Sequence, residues 1–242
     1  MRNPIGVLAL AASLPLCCAR AWAGPPFLTD DPEPVELKHW EFYAASQWTI
    51  ARHEATGTSP HVEVNYGALP NLQLHAIVPA ALAWTSGHSV EYGLGDIELG
   101  VKLRFIEERA SRPQVGIFPL LMLPTGSEAR GLGAGRVQGL APVWVQKSFG
   151  AWTTYGGGGI RFAPDGNATV LGWLLQRSFS DAIALGVETF VTIPFRAEAV
   201  QIQANLGTII NLSELHHVLA SAGPSFRTNA FMQAYLAYQL TI

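Results

Sequence analysis

The sequence predicts an all-β protein: an antiparallel transmembrane β-barrel of about twelve strands, with ten as the lower count. Three observations predict it. Apolar and polar residues alternate with a period of two along short glycine-rich segments. A short charge-free apolar stretch near the N-terminus reads as an export signal. No later stretch is long and apolar enough to form a spanning helix. In hydrocarbon every backbone group needs an internal partner, and strands provide that only by closing on themselves.

The export signal comes first. Arg2 supplies a positive start, Ile5 to Leu16 is mostly apolar, and Ala21-Trp22-Ala23 places small residues where a signal peptidase reads. The predicted signal peptide is therefore residues 1–23. The alternative is a lipoprotein acylated at Cys17, but Leu16 is bulky where that signal needs a small residue. Cys17 and Cys18 both fall in the removed segment, which excludes disulfides, thiolate metal ligands and cysteine nucleophiles from the mature chain. Loss of Arg2 and Arg20 leaves thirteen basic and eighteen acidic residues, a net charge of −5. With no basic run, nucleic acid is not an expected partner.

Residues 24–37 are predicted to be an irregular periplasmic segment, because Pro25, Pro26, Pro32 and Pro34 cannot sustain a ladder. Asp30 and Asp31 within it read as a solvated end segment, with ligand binding as the alternative. Residues 38–242 form a single barrel domain with no linker. Its first strand sets Trp40, Phe42, Ala44, Ser46 and Trp48 against Glu41, Tyr43, Ala45 and Gln47. The second alternates Val62, Val64 and Tyr66 with His61, Glu63 and Asn65. Pro70-Asn71 turns the chain into a third strand, where Leu72, Leu74, Ala76 and Val78 oppose Gln73 and His75.

The clearest strand follows Gly93-Leu94-Gly95-Asp96. Ile97, Leu99, Val101, Leu103 and Phe105 make one apolar face, and Glu98, Gly100, Lys102 and Arg104 make the other. Such a strand needs water on its charged side. Val115 to Leu123 follows, then a polar glycine-rich loop over Ser127 to Gly139 that could fold over or into a pore. Val143 to Phe149 and Trp152 to Phe162 pair across Gly150. Gly156 to Gly159 lacks the Lys-Ser/Thr of a phosphate loop; it either permits bending or makes room for a bulky neighbour. Val170 to Ser178 and Ala182 to Val191 flank Ser180-Asp181. Gln201 to Thr208, His217 to Gly223 and Ala230 to Thr241 complete the count.

Soluble β-sandwiches share this period. The export signal, the missing disulfides, and Trp and Tyr near strand ends favour the membrane barrel. The aromatics read as girdle residues are Trp40, Trp48, Tyr66, Trp84, Tyr92, Trp144, Trp152, Tyr155, Trp173 and Tyr238.

Glu63, His75, Glu98, Lys102, Arg104 and Glu188 are the candidate pore-lining residues. A Lys or Arg on the lipid face at mid-membrane would cost about 2–4 kcal/mol, so these side chains should point inward. Lys102 and Arg104 could pair with Glu98 or Glu188 across the interior; the plainer role is to hydrate or brace the wall. Gly95, Asp96, Pro124 and Gly126 are assigned to structural turns. No metal, cofactor or catalytic residue is assigned. Ser213, Glu214, His216 and His217 lie together, but no Gly-x-Ser-x-Gly elbow is present, and adjacent histidines on a strand face opposite ways.

Several ordered pieces carry a family resemblance. They are Gly24-Pro25-Pro26-Phe27 with Thr29-Asp30-Asp31-Pro32, then Glu63-Val64-Asn65-Tyr66-Gly67, Gly93-Leu94-Gly95-Asp96 with Gly100-Val101-Lys102, Leu123-Pro124-Thr125-Gly126, and Pro142-Val143-Trp144-Val145-Gln146-Lys147. In this order the chain resembles the bacterial family of outer-membrane channels found with phenol and other aromatic-compound degradation pathways. The resemblance implies residence in the outer membrane among its lipid, assembly by the barrel-assembly machinery, and passage of small, often hydrophobic compounds. The chain departs from the usual barrel pattern by ending in Ile242 rather than an aromatic residue.

Overall fold

The computed structural model describes residues 26–196, 199–226 and 230–242, so the predicted export signal lies outside the described residues. Strands run β1 (Trp40–Ile50), β2 (Glu54–Leu69), β3 (Leu72–Thr85), β4 (Glu91–Leu94), β5 (Ile97–Ile106), β6 (Gln114–Ile117), β7 (Leu120–Leu123), β8 (Gln138–Phe149), β9 (Trp152–Phe162), β10 (Ala168–Ser178), β11 (Ile183–Pro194), β12 (Gln201–Asn211), β13 (His216–Phe226) and β14 (Met232–Thr241). All pair antiparallel with their neighbours, and β1 closes the sheet on β14 from Glu41↔Thr241 to Ile50↔Met232.

The fourteen segments make twelve staves. β4 and β5 both pair with β3, at Ala80↔Leu94 and Ile77↔Glu98, with Gly95-Asp96 as a one-residue irregularity between them. β6 and β7 both pair with β5, at Leu103↔Ile117 and Gly100↔Leu120, so one register runs through both. Phe118-Pro119 interrupts that stave, because proline has no N–H for the ladder. The turns use residues that tolerate positive φ: Asn71 (φ 64°) joins β2 to β3, and Gly150 (φ 60°) joins β8 to β9.

The barrel is inside out relative to a water-soluble protein. Along β11, Leu185 and Val187 are exposed, whereas Ala184, Gly186 and Glu188 are buried. Leu206 is 68% exposed and Glu188 only 3%. Buried polar side chains recur on most staves, among them Gln73, Gln146, Gln176, Gln203 and Gln239. An apolar residue outside and a polar residue inside is the opposite of what burial in water selects.

Two features differ from the sequence expectation. Trp144 and Tyr155, grouped with the girdle aromatics, point inward and are each 1% exposed. Gly157 lies across from Trp144, and a Cβ there would meet the Val143 carbonyl oxygen first and crowd the Trp144 ring at 3.1 Å, so the glycine lets the strand and the indole lie close. Trp40, Trp84, Tyr92, Trp152, Trp173 and Tyr238 do face outward. The loop after β7 folds into the mouth opposite the C-terminus. Leu132 lies buried over Gly93, and Arg130 pairs with Glu91.

Candidate functional site

Residues 26–37 form an irregular strap inside the barrel. The strap begins where the Ser221 hydroxyl donates to the Pro26 carbonyl. Phe27 fits over Gly186 and Gly207, where an added Cβ would come within 2.7 and 2.5 Å of its ring. Thr29 packs on Gly172, Pro32 on Gly116, and the Glu36 carbonyl on Gly67. Each wall position lacks a Cβ, and that absence lets the strap lie so close. The strap leaves the lumen beside Gly67 and turns through Lys38 into β1.

Polar groups fix the strap along its length. The Thr29 N–H donates to Glu188, which also accepts from Asn205. Lys102 reaches Asp30 at 2.9 Å and Asp31 at 3.5 Å. Arg104 donates to Glu33 and Gln114, and the Val35 N–H donates to Gln73 at 2.9 Å. The sequence predicts solvated aspartates here; Asp31 is instead fully buried. Burial pushes its carboxyl well above the usual carboxylate range, against the opposing pull of Lys102.

The strap divides the lumen. On one side Trp144, Tyr155 and Leu174 fill the space under β8, β9 and β10. On the other lies a cavity of about 1550 Å³. Its lining starts at the turns beside the C-terminal Ile242, with Asn71, Glu107 and Asp181, and extends inward to Gln47, His61 and Tyr235. Among the described residues, its lining takes none from the inward-folded loop after β7.

Glu63, His75, Glu98, Lys102 and Arg104 all line this cavity. Glu188 faces inward as well, but it is buried against Thr29 of the strap. The imagined pairing of Lys102 and Arg104 with Glu98 or Glu188 does not occur. Both cations turn to the strap carboxylates, which reach into the lumen ahead of any opposite wall. Glu98 instead binds His75 Nε2 at 3.0 Å, while His75 Nδ1 meets Asn65 Oδ1 at 2.7 Å. Asn65 in turn donates to Glu63 at 2.8 Å. Both ring nitrogens of His75 thus face acceptors, the arrangement an imidazolium satisfies.

Glu41, His61 and Tyr235 also line the cavity and were not singled out from sequence. The period of two that sets Glu63 on a polar face sets Glu41 and His61 on one as well, and nothing in the sequence separates them from the candidates. Of the turn residues, Asp96 acts at longer range than its local sequence suggests. Its carboxylate accepts from the N–H groups of Gly126 and Ala134, tying the inward loop to the β4–β5 break. Thr125, between Pro124 and Gly126, donates its hydroxyl to the Gly95 carbonyl at 2.7 Å.

Neither a family model nor a curated protein matches this chain. Solved structures do. An outer-membrane channel from Pseudomonas putida F1 superposes with a TM-score of 0.71 at 13% identity, covering 88% of this chain and 98% of that one. The translocator domain of the autotransporter NalP from Neisseria meningitidis gives 0.59 at 12% identity, over 84% and 88%. The KdgM porin in complex with disordered oligogalacturonate gives 0.57 at 10%, over 81% and 98%. These likenesses establish the fold: a twelve-strand closed barrel resembling outer-membrane channels and porins.

Proposed function

We propose that this protein is an outer-membrane channel or transporter for small, hydrophobic or aromatic compounds. The inverted barrel carries the reading: an apolar outer face suits lipid, and a polar interior with a cavity of about 1550 Å³ suits a solute path. The export signal expected of residues 1–23 and the sequence resemblance to channels of aromatic-compound degradation support location and solute class. In that setting outer-membrane lipid surrounds the wall, the barrel-assembly machinery inserts it, and the cavity mouth beside the C-terminus faces the periplasm.

A role in catalysis is not part of this proposal. Ser213 Oγ accepts from the backbone N–H groups of Leu215 and His216 in a turn, His216 pairs with Tyr238, and His217 pairs with Asn211. None of these contacts sets a histidine against the serine hydroxyl, as a nucleophile and base require.

Planar-bilayer recording and uptake of aromatic solutes by cells with and without the protein test the proposal. Conductance steps or protein-dependent uptake are expected. Recovery of the folded protein as a monomer from aqueous extract without detergent would overturn it. One observation favours a second reading, a structural or periplasmic binding barrel without transport: the strap spans the lumen and the cavity lining stops short of the far loops. That reading predicts neither conductance nor uptake.

A further inference from the structure

The cavity is strongly acidic. Among the described residues it is lined by nine carboxylate side chains and two cations, Lys102 and Arg104. Both cations are already engaged by strap carboxylates. Of the wall carboxylates, Glu63 and Glu98 share one histidine, His75, at 3.6 and 3.0 Å. Glu41 accepts from a neutral donor, the Tyr43 hydroxyl at 3.0 Å. Excess negative charge in a low-dielectric wall is costly unless a cation joins it.

A second observation at the inner end also points to a ligand. His61 is 4% exposed and its Nε2 has no partner; the buried Tyr235 hydroxyl has none either. Their rings lie 6.1 Å apart and both residues line the cavity. His61 Nδ1 is occupied by Thr58 at 2.8 Å, which leaves Nε2 as the free ring position. Buried polar atoms of this kind ordinarily find a partner. Aromatic faces complete the chamber: Phe118 lies edge-on to His75 at 5.2 Å and already receives the Lys102 ammonium at 4.9 Å, and Tyr43 is buried nearby. Rings beside carboxylates are the surroundings that bind ammonium groups.

We infer that the cavity binds a protonated aromatic amine, with the ammonium held among Glu41, Glu63 and Glu98 and the ring among Tyr43, Phe118 and Tyr235. His61 Nε2 and the Tyr235 hydroxyl then take the ligand's remaining polar contacts. This rests on the proposed passage of aromatic compounds and narrows their class to cations. The charge balance favours ammonium over a carboxylate or phenolate of the same size, because an anion would add to a lining in which carboxylates outnumber the cations.

The test uses the full mature chain refolded in detergent, titrated with 2-phenylethylammonium, 2-phenylethanol and phenylacetate by ligand-observed NMR or calorimetry. Expected is at least tenfold tighter binding of the ammonium than of the alcohol, and the weakest binding for phenylacetate. The double variant Glu63→Gln with Glu98→Gln should lose about tenfold for the ammonium and leave the alcohol unchanged, with far-UV dichroism and heat-modifiable gel migration confirming the barrel. Equal binding of all three probes by the unaltered chain, or preference for phenylacetate, would overturn the inference whatever the variant does. Bilayer recording separates it from the proposed passage. Ammonium binding without conductance or uptake keeps the site and removes the channel. Conductance with no ammonium preference keeps the channel and removes the site.

Discussion

The two halves of the lumen use the same inward-facing strand positions for opposite ends. Under β8, β9 and β10 those positions hold Trp144, Tyr155 and Leu174, each 1% exposed or less. Along β1, β2, β3 and β5 they hold Glu41, Glu63, His75, Glu98 and Lys102 around a cavity. The strap between them is greasy at Phe27, where it meets glycines of β11 and β12, and charged at Asp30, Asp31 and Glu33, where it meets Lys102 and Arg104. One half is therefore a packed core that positions the strap, and the other is a water-accessible site that the strap walls. Closure sets the alternation of faces, but which inward residues stay wet depends on what fills the barrel.

The largest effect expected from breaking this division is at the packed half. Trp144→Ala should cost about 3–5 kcal/mol, as deletion of a buried aromatic does. Urea titration in detergent micelles, followed by gel migration, measures it; a loss under 1 kcal/mol would mean that this half is not a core. Next comes the charged anchor. Lys102→Ala leaves Asp30 and Asp31 without their cation, and breaking such a pair costs about 3–5 kcal/mol, with the upper part reserved for complete burial. Because Asp30 is partly exposed, the lower end is expected, together with faster proteolysis of residues 26–37.

A smaller effect is expected from filling a strap slot. Gly207→Val would place side-chain atoms where Phe27 now sits, and overpacking of this kind costs about 1–3 kcal/mol. Released by that clash, the strap should become protease-sensitive while the barrel keeps its dichroism. Unchanged protection would show that the Phe27 contact does not hold it. The smallest effect lies on the wet side: Glu63→Gln should alter stability by less than about 1 kcal/mol, since Asn65 can still donate to the amide oxygen. A larger loss would show that Glu63 braces the wall rather than serving the cavity.

Some of this was legible in the sequence because strand geometry is local. Side chains alternate across a strand whatever surrounds it, so Ile97 to Phe105 announces one apolar and one charged face. The same rule placed Glu63, His75, Glu98, Lys102, Arg104 and Glu188 on inward faces. It also sets Trp144 on the face of Gln146, opposite Val143 and Val145, but residue type pulls the other way, because a tryptophan near a strand end serves equally as an outer anchor or as lumen filling. Gly157, across from Trp144 on the neighbouring strand, leaves space beside the indole, and a linear reading does not pair the two. Asp96 is a similar case: its sequence neighbours suggest a local turn, and its hydrogen bonds go to Gly126 and Ala134, thirty and more residues away.

The sequence by itself determined the strand period, the all-β class, the count of about twelve staves, and which residues share a face. These follow from backbone geometry and from the run lengths between turn residues. Only the tertiary structure decided that residues 26–37 enter the barrel, that Lys102 and Arg104 pair with them, and that one half of the lumen is dry. The physical reason is distance along the chain. Gly67, Gly116, Gly172, Gly186 and Gly207 line up as a track only after the sheet closes, and a proline-rich segment has no periodicity of its own to announce where it will lie.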